Sequence, residues 1–172
     1  MTLLLVAGPP GAGKSTVGRL LADAEPLSVH LHSDDFYTWI VQGYVEPWKP
    51  ASLAQNITLL SSVALAAARF AEGGYFTVVD GVFGPWFLDP WRALDLPVHY
   101  ALLRPSLDAT RDRASDRPGH PLQDLAVVEQ MHAAFADVGP IEHHVIDSTV
   151  QTPAETAAEV RRRLAAGDLL LT

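Results

Sequence analysis

Residues 3–16 read Leu3-Leu4-Leu5-Val6-Ala7-Gly8-Pro9-Pro10-Gly11-Ala12-Gly13-Lys14-Ser15-Thr16, and this stretch decides the fold. Its first five residues are apolar, as in a strand buried on both faces of a sheet. The next eight, from Gly8 to Ser15, fit the pattern G-x-x-x-x-G-K-[ST], and a strand before it with a helix after it is the context that makes such a loop a phosphate cradle. The glycines let backbone N–H groups of Gly8, Gly11, Ala12 and Gly13 through Thr16 turn inward, and the helix N-terminus adds positive potential. Lys14 reaches the β and γ oxygens of a triphosphate and Ser15 offers its hydroxyl to magnesium. The stretch therefore predicts binding of ATP with Mg2+.

The rest of the chain limits what can surround that loop. Its 172 residues amount to about one domain, so residues 1–172 are expected to form a single unit with a core of its own. With 48% of residues apolar and 19% charged the composition excludes disorder, and no apolar run approaches the 18 or so residues that span a bilayer, so no membrane span is expected. The N-terminus has no positive charge ahead of its apolar run, unlike a signal peptide, and cysteine is absent, which together point to a cytoplasmic location. A net charge of −8 argues against general nucleic-acid affinity, because phosphate backbones are held by basic patches. A monomer or homodimer is expected.

Short apolar runs at residues 3–7, 29–31, 76–79, 98–103 and 145–146 alternate with helical patterns, which predicts an α/β fold with a parallel sheet covered on both faces. Leu53, Ile57, Leu60, Ala64, Ala67 and Ala71 repeat at helical spacing until Gly73-Gly74, and Leu125, Val128, His132 and Phe135 form a second stripe. The last helix is the best marked, with Thr152 at the N-cap, Pro153 at the first position, Glu155 completing a capping box and Gly167 past its end. Residues 112–123, rich in Arg, Asp, Pro and Gly, read as a mobile Arg-rich lid loop.

Acidic residues gather where such sheets bind ligands, at the carboxyl ends of the strands. Asp34 and Asp35 follow the second strand in His32-Ser33-Asp34-Asp35-Phe36-Tyr37. One carboxylate can accept the proton of an incoming hydroxyl while the other serves the metal shell or the acceptor; Asp34 is assigned the base, with Asp35 as the open alternative. A plain helix cap by Ser33 or Asp34 is the competing role. Asp80, ending the third strand before Gly81, is a candidate to orient magnesium together with Ser15 and Asp34. Phe83, Trp86 and Arg92, in Phe83-Gly84-Pro85-Trp86-Phe87-Leu88-Asp89-Pro90-Trp91-Arg92, either line an acceptor pocket with Asp35 and Phe36 or pack as a short core helix. Arg111, Arg113 and Arg117 lie in or beside the lid, where guanidinium groups can close onto the transferring phosphoryl or pair with Asp112 and Asp116. His30 and His32 share a strand face, but with no third ligand evident no transition-metal site is read.

The chain resembles the small P-loop phosphotransferases that include chloramphenicol phosphotransferase, gluconate kinase, the zeta-toxin kinases and the tunicamycin-resistance proteins. The resemblance runs over nearly the whole length. It rests on residues 8–15, on Asp34, on Arg113-Ala114-Ser115-Asp116-Arg117-Pro118-Gly119-His120, and on Val145-Ile146-Asp147-Ser148-Thr149 followed by Pro153-Ala154-Glu155. It implies a five-stranded parallel sheet, Asp34 as base toward the acceptor hydroxyl, Arg113 and Arg117 on the phosphates, and Thr149 near the adenine. The activity so implied is transfer of the γ-phosphoryl group to a small-molecule hydroxyl, with an antibiotic or a sugar nucleotide as acceptor. The alternatives are a protein that sequesters a drug in an ATP-dependent way without modifying it, and a nucleotide-switch ATPase.

Overall fold

A computed structural model describes residues 1–115 and 125–172. Five strands form one sheet in the order β2-β3-β1-β4-β5: β1 (Thr2–Ala7), β2 (Ser28–His32), β3 (Phe76–Gly81), β4 (Val98–Leu103) and β5 (Val145–Ile146). Every named pair is parallel. The strand runs read from the sequence coincide with these elements to within two residues.

Alternation along each strand sends side chains to two separate cores. Leu4, Val6, Val78, Ala101, Leu103 and Ile146 pack with Val17 and Leu21 of α1 (Lys14–Asp23) and Val160 of α7 (Pro153–Ala166). Leu3, Leu5, Val79, Tyr100 and Leu102 face the other way, onto α3 (Leu53–Glu72), Trp91 of α4 (Asp89–Arg92) and Phe135, just past α6 (Leu125–Ala134). The two remaining helices, α2 (Ser33–Thr38) and α5 (Leu107–Ser115), follow the carboxyl ends of β2 and β4 directly. A doubly covered parallel sheet results, as the strand–helix alternation requires.

Local details differ from the sequence reading in two places. In α3 the buried stripe is Asn56, Leu59, Leu60, Val63, Ala64, Ala67 and Ala71, while Leu53 and Ile57 stand exposed, because the helix is apolar on more than one side and the stripe can be phased two ways. With the short 3-10 turn before it, this helix spans Pro50–Glu72, 23 residues long and apolar enough by length and mean composition to cross a bilayer, although polar residues interrupt every apolar run in it. Its buried face against the sheet is that of a core helix. Residues 112–115, read as the start of a loop, are the last turn of α5; residues 116–124, with Arg117 and the rest of the expected lid, lie outside the described residues.

The last helix is built as its sequence signals say: the Thr152 side chain accepts from the Glu155 N–H at 3.2 Å, the Glu155 carboxylate accepts from the Thr152 N–H at 2.7 Å, and Gly167 ends the helix in the left-handed region at φ 81°. Leu169 is buried, and the tail bonds to β4 through the Tyr100 N–H and the Val98 carbonyl, with an antiparallel bridge between His99 and Leu170.

Candidate functional site

The loop between β1 and α1 can exist only with glycine at two positions. At Gly8, φ is 150°, and a Cβ there would stand 2.3 Å from the carbonyl oxygen of Leu103. At Gly11, φ is 81°, and a Cβ would stand 2.7 Å from the carbonyl oxygen of Thr110. The loop therefore nests against β4 and α5 at van der Waals distance, which fixes its backbone. Gly13 serves as N-cap of α1, and no side chain caps the helix, so its first N–H groups are presented by the loop itself. Ser15 is half-buried and Thr16 exposed in the first turn. The Lys14 ammonium folds back over the loop and donates to the Pro9 carbonyl at 2.9 Å.

Beside this loop stands Asp80, on the strand adjacent to β1 and in register with Val6. It is 5% exposed, which for a carboxylate demands partners. They come from β2: His30 Nε2 lies 2.8 Å and His32 Nδ1 2.9 Å from Asp80 Oδ2. Burial pushes the Asp80 carboxyl up, but the hydrogen bond to His30 and the charges of His32, His30 and Lys14 outweigh it and hold the group below its ordinary value. Asp80 is thus ionised at neutral pH. The expectation that the histidines lack a third ligand partner is corrected here, because β2 pairs with β3 in a register that sets His32 opposite Asp80.

Asp34 and Asp35 lie in the first turn of α2, but the helix is capped by neither Ser33 nor Asp34: its N-cap is His32 with no side-chain cap bond, and Ser33 is buried against Gly81. Both carboxylates are exposed and line a cavity of about 760 Å³. The remaining walls come from α2 (Tyr37), the 39–49 segment (Tyr44, Trp48), α3 (Asn56, Leu60) and the edge of α6 (Met131, Phe135), with Trp86 and Phe87 closing one side. Among the described lining residues Asp34 and Asp35 alone carry charge. Tyr37 donates to Asn56 Oδ1 at 3.0 Å; burial first, then the charge of Asp34 and the neighbouring Tyr44, push its phenol well above the usual range and keep it a neutral donor. The 39–49 segment is pinned to α3, where the Gln55 amide exchanges hydrogen bonds with the Val45 backbone at 2.7 and 2.9 Å and Asn56 donates to the Pro47 carbonyl at 2.8 Å.

Several residues chosen from sequence sit elsewhere. Phe83 is fully buried, packed on Trp91 with its carbonyl accepting from the Tyr100 hydroxyl, so it belongs to the core and not to an acceptor wall. Trp86, three residues on, does line the cavity: Gly84 is extended between Phe83 and the 3-10 turn Pro85–Phe87, so the two rings do not share a helical face. Phe36 faces the opposite side of α2 from Asp34, Asp35 and Tyr37, packing on Trp39 and the core. Arg92 points to the tail and donates to the Thr172 carbonyl at 3.1 Å, far along the chain from any anion site. Arg113 donates to the carbonyls of Ser148 and Thr149 at 2.9 and 3.2 Å, fastening the loop after β5 to α5. The Thr149 hydroxyl is engaged locally with Asp147 and the Ser106 N–H, whereas the buried Ser148 hydroxyl has no hydrogen-bond partner among the described residues. Arg111 pairs with Glu129 of α6 and with Asp108, not with Asp112.

Sequence reasoning missed Tyr37, Tyr44, Trp48, Met131 and Phe135 as cavity residues, since their spacing says only that they are apolar. It missed the His30–His32–Asp80 cluster as well; the signal was present in two strands ending in ligating residues, but strand order could not be read from one chain.

Comparison with known proteins agrees with this arrangement. A family model described as an AAA domain matches residues 3–138. No curated protein matches the sequence. Among solved structures, a sugar kinase from Janibacter sp. HTCC2649 shares 21% identity at a TM-score of 0.74, covering 98% of this chain and 95% of the other. The tunicamycin resistance protein of Deinococcus radiodurans shares 17% at 0.70, covering 100% and 99%. A gluconokinase from Sinorhizobium meliloti 1021 shares 18% at 0.62, covering 97% and 91%.

Proposed function

The chain belongs to the AAA domain family of P-loop proteins, and from that premise we propose that it is an ATP- and magnesium-dependent phosphotransferase acting on a hydroxyl of an uncharged or cationic small molecule with an apolar body. One observation carries the reading: a carboxylate pair stands on the wall of a large apolar cavity, joined to the phosphate loop through the contact of Ser33 with Gly81 and the pairing of Gly81 with Ala7.

The loop fits a triphosphate on its own geometry, with glycines where side chains would clash and an uncapped helix start. Ser15 and the ionised Asp80 would hold the magnesium ion, which when bound neutralises charge on the phosphates. Lys14 supplies a cation for the β and γ oxygens in the family's manner. The buried Ser148 hydroxyl, without a partner among the described residues and within the loop that Arg113 fastens, suits a contact to the base. Arg117 keeps its proposed role on the phosphates from the sequence alone. Asp34 accepts the proton as the acceptor oxygen attacks, and the apolar walls orient the acceptor and exclude water.

The acceptor class follows from charge. A sugar nucleotide, considered from sequence, brings phosphates against Asp34 and Asp35 with no described cation in the cavity wall to offset them, so a neutral or cationic antibiotic-like compound is the better fit. Incubating the protein with Mg-ATP and panels of neutral, cationic and anionic hydroxyl compounds, read by mass spectrometry, tests this. Phosphorylated products confined to the first two panels support it. ATP consumption with only free phosphate released refutes the transfer, and a tightly held but unmodified compound establishes the sequestering alternative, which the depth of the apolar cavity also accommodates.

A further inference from the structure

We propose that His30, His32 and Asp80 form a binding site for a six-coordinate, borderline first-row ion such as Mn2+ or Co2+, distinct in donor chemistry from the oxygen-only set that magnesium prefers. The site shares Asp80 with the magnesium site proposed above, but metal binding without nucleotide is its own property, so it is tested separately from the phosphotransfer reading.

The donors converge from two adjacent strands. His30 Nε2 and His32 Nδ1 approach the same oxygen, Asp80 Oδ2, at 2.8 and 2.9 Å, and the ligand atoms of all three residues lie within 4.8 Å of one another. Bonds of about 2.1 Å place neighbouring ligands of an octahedral ion about 3.0 Å apart and those of a tetrahedral ion about 3.4 Å apart. The two separations from Asp80 Oδ2 are hydrogen-bond lengths close to an octahedral edge, and the two imidazole nitrogens lie within 4.8 Å of each other, so small ring movements bring all three donors onto one ion. Two imidazoles with one carboxylate form a face that leaves three positions for water or phosphate oxygens, and imidazole nitrogen shifts preference away from magnesium.

The surroundings are shaped for this. His30 and Asp80 side chains are 6% and 7% exposed, so their geometry is fixed, whereas His32 is 41% exposed and gives an entry path. On the other side lies Gly18, inside α1, where a Cβ would come 2.6 Å from His30 Nε2. Glycine is disfavoured in a helix interior relative to alanine. The missing side chain is what lets the His30 ring pack against α1 with its Nε2 beside Asp80.

The test is titration of the metal-free full-length protein with CoCl2 in the absence of nucleotide, by calorimetry and visible absorption. One ion per chain is expected, with the weak d–d bands of six-coordinate cobalt. His32→Ala and Asp80→Asn should each weaken binding by more than about tenfold. Gly18→Ala should weaken it too, although alanine favours the helix, and thermal melts verify that each variant is folded. Absence of binding overturns the proposal. So does binding that survives His32→Ala and Gly18→Ala, which would place the ion elsewhere, as at the adjacent His143 and His144. A protein that phosphorylates an acceptor with magnesium but binds no cobalt refutes this inference alone, and one that binds cobalt but transfers nothing refutes the phosphotransfer alone.

Discussion

Replacing Asp34 by asparagine separates chemistry from folding. In the structure Asp34 is exposed, accepts no capping hydrogen bond, and contributes to stability only as a charge in the first turn of the six-residue helix α2. Such a charge is worth about 0.3–1 kcal/mol at a helix N-terminus, which for a chain of this length shifts the melting temperature by no more than about 2–4 °C. A positioned base, by contrast, contributes about 10²- to 10⁴-fold in rate, or roughly 3–5 kcal/mol of transition-state stabilisation. Asp34→Asn should therefore melt within a few degrees of the parent, bind ATP within a few-fold by calorimetry, and lose nearly all transfer in single-turnover assays with saturating acceptor. Retention of more than a tenth of the parent rate would refute the assignment. If Asp35→Asn instead shows the selective loss, the base is the other carboxylate of the pair.

Other perturbations probe the frame. Gly8→Ala brings a Cβ to 2.3 Å from the Leu103 carbonyl and should abolish ATP binding in calorimetry, with a lowered melting temperature, where Ser15→Ala should leave the melt unchanged and weaken the magnesium dependence of ATP binding. Thr152→Ala removes one half of the capping box and should cost about 1 kcal/mol in urea denaturation. His144 is buried, donates to the Tyr100 carbonyl at 2.9 Å, and has its pKa lowered to about 4 by burial first and by the neighbouring charge of His143 second. Unfolded, it titrates near the ordinary value of about 6.5. Its contribution is therefore complete above pH 6.5 or so and lost as the pH falls toward 4, so stability should decline across that window and His144→Gln should flatten the decline.

Much of this was legible in one sequence, for identifiable reasons. The phosphate loop and the cap of α7 are encoded by residues a few positions apart, and the strands stand out as short apolar or β-branched runs between helical patterns, β2 with its two histidines the least apolar of them. What was illegible depends on residues far apart in sequence. The facing of His30 and His32 with Asp80 requires knowing that β2 lies beside β3. Phe83 and Trp86, both aromatic and three apart, go to core and cavity because Phe83 precedes the extended Gly84 and only Trp86 lies in the 3-10 turn, a break in the chain's course that spacing does not reveal. Arg92 and Arg113 looked like anion ligands, yet each satisfies backbone carbonyls at a distant loop or terminus, a use of arginine that composition does not distinguish.

The attachment of the 39–49 segment to α3 through Gln55 and Asn56 has a consequence for diversification. The phosphate loop is fixed by contacts to β4 and α5, whereas the 39–49 part of the cavity wall is held by Gln55 and Asn56 of α3 and by the Ser52 hydroxyl on the Pro47 carbonyl. Acceptor choice and phosphate handling are in that sense separately inherited parts. A lineage, or an engineer, can rewrite residues 39–49 while conserving Gln55 and Asn56 as the mounting points, and so change what is recognised without disturbing how the nucleotide is held.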